Sequence, residues 1–143
     1  GNIMIDEATG RGTCIVDLDT VQPGLVHYDI GDAMRSVCNP AGEDASELGA
    51  VIFDLELFSI IYRGYQAHAK DFLSQADHRH LFDCIHLIPL ELGIRFLADH
   101  LAGDVYFKVR YPGHNLRRAL VQFKLAESIE AREPSIRKVL GES

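Results

Sequence analysis

Carboxylates gather after the second of two short apolar runs near the start of the chain. Asp17 and Asp19 follow the run at residues 13–16 (TCIV), and Asp29 and Asp32 come shortly afterwards. Carboxylate and amide oxygens are the ligands that Mg²⁺ prefers, and this ion usually takes one or two carboxylates together with substrate phosphates. The pattern predicts a partial magnesium site, while capping of the following loop by Asp17 and Asp19 explains the same residues equally well.

Two β-type runs are predicted to form a hairpin that leads into these carboxylates. Residues 3–6 (IMID) and 13–16 (TCIV) are rich in β-branched and apolar side chains. Residues 7–12 between them contain two glycines, as hairpin loops commonly do. The sequence therefore predicts antiparallel strands whose open end carries polar residues.

The register of this hairpin predicts a second ligand beside Asp17. A symmetric register pairs Ile3 with Val16 and so places Asn2 opposite Asp17. Directly opposed residues of an antiparallel pair have Cβ atoms roughly 4.5–5.5 Å apart. We therefore predict that Asn2 and Asp17 supply an amide oxygen and a carboxylate to one divalent cation.

The chain after the hairpin is predicted to be helical. The predicted helices cover residues 28–37, 55–72, 77–101 and 114–133. Asp54 is a candidate N-cap, and Pro89 is expected to kink or split the third helix. Gly103 is expected to end that helix, and Pro134 to end the last one. Apolar residues lie on two sides of the third helix, which predicts that it is buried.

These elements predict one domain of mainly α (α+β) class. A length of 143 residues suffices for one hydrophobic core. The predicted domain covers residues 1–143, with a small β-hairpin at 2–17 and helices from about 29 to 133. An isolated hairpin is marginal in water, so we expect it to lean on the helices or on strands outside this chain.

Composition restricts the classes of partner. The net charge is −7 and the pI is about 5.4, which disfavours a nucleic-acid backbone or an anionic membrane as partner. The three cysteines are an odd number, are widely spaced and form no CxxC motif, which favours a reducing cytoplasmic location over a disulfide framework. No stretch of 18 uncharged apolar residues is present in the sequence.

The hairpin end resembles part of the active site of kinase-like phosphotransferases. In those enzymes a catalytic loop, HxDxxxxN, precedes a hairpin whose second strand ends in a metal-binding Asp. Residues 2–24 (NIMIDEATGRGTCIVDLDTVQPG) are similar to the second half of that arrangement in the aminoglycoside phosphotransferase and choline kinase-like family. Residues 27–35 (HYDIGDAMR) are similar to the DxGD segment of that family. Within the family, residues 4–21 and 93–108 (GIRFLADHLAGDVYFK) most resemble the bacterial N-acetylhexosamine 1-kinases.

The resemblance implies a role for each matched residue. Asn2 would close the catalytic loop as a Mg²⁺ ligand, and Asp17 would bridge Mg²⁺ to the phosphates of ATP. Asp29 would support the site by holding the catalytic loop through hydrogen bonds. The residues implied or suggested in substrate binding are Arg95, Tyr106, Asp19 and Thr20.

The resemblance also implies that this chain is the helical C-terminal lobe of a protein-kinase-like fold. The HxD motif with the catalytic Asp, and the N-terminal lobe with half of the ATP cleft, would precede residue 1. No catalytic residue is therefore expected within the chain, and it is predicted to be inactive alone. The parent is expected to be an ATP- and Mg²⁺-dependent sugar kinase that phosphorylates an N-acetylhexosamine at the anomeric hydroxyl.

Three alternatives stand beside that expectation. In the first alternative, the acceptor of the parent kinase is another alcohol, such as choline or an aminoglycoside. Alternatively, the chain is a non-catalytic helical sugar-binding or self-associating module, a homodimer through the apolar surface that a missing lobe would expose. Residues 38–41 (CNPA) begin like the CxPxR motif of sulfatases, but Gly42 stands where the arginine belongs, so that chemistry is disfavoured.

Overall fold

The computed structural model describes residues 2–19, 21–69 and 71–141. Its elements are β1 (Ile3–Ile5), β2 (Gly12–Ile15), α1 (Val26–Val37), α2 (Leu55–Ala69), α3 (Gln75–His78), α4 (Leu81–Leu101), α5 (His114–Glu130) and α6 (Glu133–Leu140), with a 3₁₀ turn at Leu48–Ala50. The predicted class, mainly α with a small β-hairpin, is confirmed. None of the helices in these segments has the length and apolar character needed to cross a bilayer.

The register of the hairpin differs by one residue from the predicted one. Ile3 pairs with Ile15 rather than with Val16, and a bulge follows before Ile5 pairs with Gly12. The backbone N–H of Val16 donates to the carbonyl oxygen of Asn2 at 2.9 Å. Asn2 therefore lies opposite Val16, and the predicted placement opposite Asp17 is wrong.

The turn of the hairpin explains this shift. The carboxylate of Asp6 accepts hydrogen bonds from the backbone N–H and the hydroxyl of Thr9, both at 2.7 Å. The carbonyl oxygen of Asp6 accepts from the N–H of Gly10, whose φ is +66°, a conformation that glycine adopts readily. The turn is organised by the Asp6 side chain, and the bulge beside it adds one unpaired residue to the second strand. A symmetric pairing assumes that both strands contribute equal numbers of residues.

The hairpin lies outside the core of the molecule. Every described residue from Asn2 to Leu25 is exposed, and His27 is the first of the described residues to be buried. Among the described residues, the apolar strand side chains Ile3, Ile5 and Ile15 each stay more than half exposed. Of the two supports expected for the hairpin, packing on the helices is therefore not found among the described residues, and support from strands outside this chain stays a prediction.

Helix α4 is the centre of the helical body and packs most extensively against α5 and α1. Two glycines allow the close approach. A Cβ at Gly31 of α1 would lie 2.9 Å from the carbonyl oxygen of Cys84, and one at Gly93 of α4 would lie 2.6 Å from Cε1 of Phe123. The largest fully buried side chains include Phe53, Phe58, Tyr62, Leu81, Ile85, Leu125 and Ile129.

Helix α4 departs from its prediction at its start, at its proline and on one face. A separate short helix, α3, precedes it, and Pro89 lies inside a continuous helix rather than splitting it. Only one apolar side is buried, because Leu87, Ile94 and Leu101 are 55%, 60% and 78% exposed. The prediction of a helix buried on both sides is therefore wrong.

The end of the helical region lies beyond the predicted boundary at about residue 133. Helix α5 ends at Glu130, and Pro134 stands in the first turn of α6 instead of terminating a helix. Proline is tolerated there because the first N–H groups of a helix have no intrahelical acceptor. Ile136 and Leu140 of α6 are buried and extend the core.

Candidate functional site

The end of β2 is the first part of the candidate site. Asn2 and Asp17 lie at neighbouring strand ends and both are exposed, but their backbones are not directly opposed. Both offer hard oxygen donors, which is the ligand chemistry that Mg²⁺ requires. Within the described segments, no three or more His, Cys, Asp or Glu side chains are arranged as a metal site. A site here would thus be a two-ligand one that relies on phosphate oxygens, and the metal-ligand role of Asn2 and Asp17 stays a prediction.

Asp17 has an unusual backbone conformation. Its φ is +61°, in the left-handed region that non-glycine residues adopt uncommonly, although Asp is enriched there. The chain turns out of the β-conformation at this residue, and the N–H of Val21 then donates to the carbonyl oxygen of Leu18 at 3.1 Å. Sparsely populated backbone conformations cluster at functional sites, so this observation agrees with a site at Asp17.

The segment after Asp17 leads into α1 and carries the next predicted residues. Asp19 is exposed, and Thr20 lies outside the described residues. Asp29 lies in the first turn of α1, where a negative charge interacts favourably with the helix dipole. It lines an open cavity of about 300 Å³ together with Val21, Gln22, Gly24, Leu25 and Tyr28.

The charge of Asp29 reaches α2. Burial and the neighbouring carboxylate of Asp29 raise the pKa of the Tyr65 phenol above its ordinary value. Asp29, which also lines the cavity beside the exposed segment, therefore lies within electrostatic reach of Tyr65 on α2. Its predicted role in supporting a catalytic loop stays a prediction.

His27 holds the start of α1 and was not predicted from the sequence. Its Nε2 lies 2.9 Å from the backbone carbonyl oxygen of Asp77, and the side chain is buried. Asp77 and Ser74 form a capping box at the start of α3, which fixes this acceptor. The segment that carries Asp17 is thus followed at once by an anchored residue.

A second group of residues lies at the C-terminal end of α4. Arg95 and Tyr106, both implied in sugar binding, line one open cavity of about 480 Å³ with Ala98, Asp99, Ala102 and Phe107. The guanidinium carbon of Arg95 lies 6.0 Å from the ring centroid of Tyr106 and 5.5 Å from that of Phe107. The structure brings these two predicted residues together, while Asp19 is not among the residues that line this cavity.

The cavity offers an aromatic face and a balanced charge. Tyr106 is 74% exposed, so its ring is available to a ligand. Arg95 pairs with Glu91 one turn earlier, with Nε 3.6 Å from Oε1. An exposed aromatic ring beside a guanidinium group suits a neutral polyhydroxyl ligand, which presents an apolar face and several hydroxyl groups.

Asp99 belongs to this cavity and was missed by the sequence analysis. It is only 6% exposed. Burial alone would raise the pKa of its carboxyl, but hydrogen bonds from the backbone N–H groups of Phe107, Tyr106 and Val105 hold it below its ordinary value. An ionised, fully hydrogen-bonded carboxylate therefore lies beneath the cavity.

Comparison with known protein families matches one part of the chain. The sequence model of the phosphotransferase enzyme family covers residues 1–68. The matched part contains Asn2, Asp17 and Asp29, and it ends before Arg95 and Tyr106. The match supports the aminoglycoside phosphotransferase and choline kinase-like family, and with it a phosphotransferase or kinase-like protein.

Proposed function

We propose that this chain is the C-terminal part of an ATP- and Mg²⁺-dependent sugar kinase. The parent would transfer the γ-phosphoryl group of ATP to the anomeric hydroxyl of an N-acetylhexosamine in the cytoplasm. The observation that carries the proposal is the family match over residues 1–68, which covers the hairpin end where Asp17 leaves β2 in a left-handed conformation. The family generally uses ATP and Mg²⁺.

Asn2 and Asp17 would hold the metal in this proposal. When bound, Mg²⁺ supplies the positive charge that neutralises the transferring phosphoryl group. The chain itself contributes two oxygen donors at the end of the hairpin, and Asp29 supports them from the first turn of α1. The left-handed backbone of Asp17 interrupts the regular alternation of side chains along the strand.

The acceptor sugar would bind at the cavity between α4 and the segment after it. Tyr106 offers a face for the apolar side of a sugar ring, and Arg95 offers N–H donors to its oxygens. The cavity volume of about 480 Å³ lies within the range of small-ligand sites. Choline or an aminoglycoside is the alternative acceptor, and either would bring positive charge beside Arg95, which favours the neutral sugar.

The catalytic base is proposed to lie before residue 1. In the parent, an Asp of the HxD motif would accept the proton of the attacking hydroxyl, while this chain binds and orients the metal and the acceptor. Without that base and without half of the ATP cleft, the chain alone would not turn over. A coupled ATP-consumption assay with N-acetylglucosamine should therefore stay at the blank, and turnover clearly above the blank would contradict this proposal.

The metal site has a separate test. Mn²⁺ binding is measured by water-proton relaxation, with Mg²⁺ as the competitor. Asp17→Asn should weaken binding at least about tenfold, since even partners that only support a metal ligand are typically worth that much. Asp71→Asn, at an exposed position outside the site, is the matched control. Equal affinities for the wild type and Asp17→Asn would remove Asp17 from the site.

The non-catalytic alternative rests on the exposed hairpin. Ile3, Ile5 and Ile15 present apolar surface that a second copy of the chain would cover in a homodimer. Size-exclusion chromatography with light scattering distinguishes the two readings, because the kinase proposal for this chain requires no dimer. A dimer that dissociates when Ile3 and Ile15 are both replaced by Thr would support the self-associating module.

A sulfatase function is not supported by the position of Cys38. The residue is fully buried, and burial, with a smaller contribution from Asp54, raises the pKa of its thiol to about 12. A thiol that is inaccessible and protonated at neutral pH cannot be the reactive group of an open site.

A further inference from the structure

We propose that Asp99 is the positioning residue that builds the acceptor-binding surface, by holding the segment with Tyr106 and Phe107 against Arg95. The assignment of a sugar to this surface rests on the proposed function. The positioning role of Asp99 rests on the geometry alone.

Four consecutive backbone N–H groups end on Asp99. The N–H of Asp104 donates to its carbonyl oxygen at 2.8 Å. The N–H groups of Val105 and Tyr106 donate to Oδ1 at 3.0 and 2.8 Å, and that of Phe107 donates to Oδ2 at 3.0 Å. One residue thus accepts hydrogen bonds from the whole segment that follows the helix.

The end of α4 makes this arrangement geometrically feasible. Gly103 has φ +94°, and its N–H donates to the carbonyl oxygen of His100, while that of Asp104 reaches Asp99. This is the Schellman pattern of helix ends. Asp104 has φ +58°, so two successive left-handed residues turn the chain back over the last turn of α4. The N–H groups of the returning segment then point at the carboxylate.

The carboxylate is satisfied by hydrogen-bond donors. Besides the backbone groups, Nδ2 of Asn115 donates to Oδ2 of Asp99 at 2.9 Å and also lies 2.9 Å from Oδ1 of Asp104. Asn115 is fully buried in the first turn of α5. A buried charge is stable when such donors surround it, and a run of convergent backbone N–H groups is a recognised anion cradle. Because the oxygens of Asp99 are engaged in this way, its role is to position the segment.

The held segment determines where the aromatic rings lie. The Phe107 ring lies 4.6 Å from that of Phe96 on α4 and 4.8 Å from that of Tyr106, at an interplanar angle of 84° to the latter. Arg95 lies over both rings of the segment. If the segment were released, Phe107 would lose its place in this cluster and Tyr106 would no longer face Arg95.

The substitution Asp99→Asn tests this role. The asparagine keeps one acceptor oxygen and places an NH₂ group at the other position, so two hydrogen bonds are lost, either those of Phe107 and Asn115 or those of Val105 and Tyr106. NMR should show faster amide exchange at residues 105–107 and loss of the NOEs between Arg95 and the Tyr106 ring. The affinity for N-acetylglucosamine should fall by about tenfold, equivalent to about 1.4 kcal/mol of binding free energy, because Tyr106 and Arg95 would no longer face one ligand. Asp71→Asn is the control, with all three readouts unchanged.

The outcomes separate the positioning role from the proposed function. Two results together would refute the sugar and still support the role of Asp99. They are faster exchange at 105–107 in Asp99→Asn and no binding of N-acetylglucosamine by the wild type. Unchanged exchange and NOEs in a folded Asp99→Asn variant would overturn that role. If the variant fails to fold, the wild type decides. Exchange of these three amides at the rate of an unstructured peptide would overturn the proposal, and slow exchange, above all at the exposed Val105 and Tyr106, would support it.

Discussion

Nε2 of His27 lies 2.9 Å from the backbone carbonyl oxygen of Asp77, which ties the first turn of α1 to α3. His27 is the first buried residue after the exposed hairpin and the segment that carries Asp17. The acceptor is itself fixed, because Oδ2 of Asp77 accepts from the N–H of Ser74 at 2.8 Å within the capping box. This hydrogen bond therefore helps to fix the start of α1, from which the exposed segment extends.

Replacement of His27 by Leu should loosen that segment and destabilise the protein. The substitution removes the side-chain donor from the Asp77 carbonyl oxygen, which keeps the N–H of His80 at 3.1 Å, so the cost should be that of one net hydrogen bond, about 0.5–1.5 kcal/mol. His27→Gln should recover most of the loss, because its amide N–H occupies a similar position. Urea unfolding gives the free energies, and amide exchange at residues 21–28 reports the segment. If the Leu and Gln variants behave alike, the hydrogen bond is not what holds α1.

The stability of the protein should decrease in acid partly through Asp44. Burial opposes ionisation of this carboxyl, but hydrogen bonds from His114 and Arg118 hold its pKa below the ordinary value of 3.8. Nε2 of His114 donates to Asp44 Oδ1 at 2.8 Å, since Nδ1 accepts from the N–H of Arg110. A depressed folded-state pKa stabilises the protein above pH 3.8, and this contribution is lost as the pH falls through the folded-state pKa.

The corresponding experiment uses Asp44→Asn. At pH 7 the variant should be less stable by about 1 kcal/mol, a modest value because the carboxylate is partly solvated. The difference from the wild type should narrow as the pH is lowered below 3.8, measured by urea unfolding at several pH values. A difference that stays constant down to pH 2.5 would contradict the assignment. Asp71→Asn, which lies outside this cluster, should show no such convergence.

Alkylation should distinguish the cysteines of the native protein. Cys14 is exposed on β2, whereas Cys38 is buried with a thiol pKa of about 12. Only the thiolate reacts rapidly, so iodoacetamide at pH 8 should modify Cys14 and leave Cys38 intact until the protein is unfolded. Mass spectrometry of peptides after timed quenching measures both. Equal rates at the two residues in the native state would contradict the burial of Cys38.

Alanine substitutions at two helical glycines should have opposite effects. A Cβ at Gly31 would lie 2.7 Å from Cγ1 of Ile88 and 2.9 Å from the Cys84 carbonyl oxygen, so α1 and α4 would have to separate. Gly31→Ala should destabilise by about 1–3 kcal/mol. A Cβ at Gly64 of α2 would meet nothing within 4 Å, so Gly64→Ala should stabilise by about 0.5–1 kcal/mol. Thermal unfolding of both variants tests the sign at each position.

Local signals in the sequence predicted much of the helical structure. Asp54 was predicted as an N-cap, and its Oδ1 accepts from the N–H of Leu57 at 2.9 Å at the start of α2. Gly103 was predicted to end α4, and it is the left-handed residue just beyond that end. Capping depends on residues only a few positions apart, which is why the sequence alone carries it.

Features that depend on the rest of the molecule could not be predicted in this way. The prediction of the hairpin register was wrong because the side chain of Asp6 organises the turn. The prediction that α4 is buried on both sides was wrong because apolar periodicity does not show which face of a helix packs against a partner. Asp99 was missed although a signal exists, namely an acid four residues before a helix-ending glycine. The sequence does not show that the backbone after α4 folds back over Asp99 and donates its N–H groups to the carboxylate.

The complete exposure of residues 2–19 and 21–25 has a consequence for how variants of this protein must be assessed. Melting curves and denaturant midpoints report the cooperative loss of buried surface, and this segment contributes almost none. A damaging change at Asn2 or Asp17 should therefore pass every global stability screen unnoticed. Only a local probe, such as a bound paramagnetic ion, would register it.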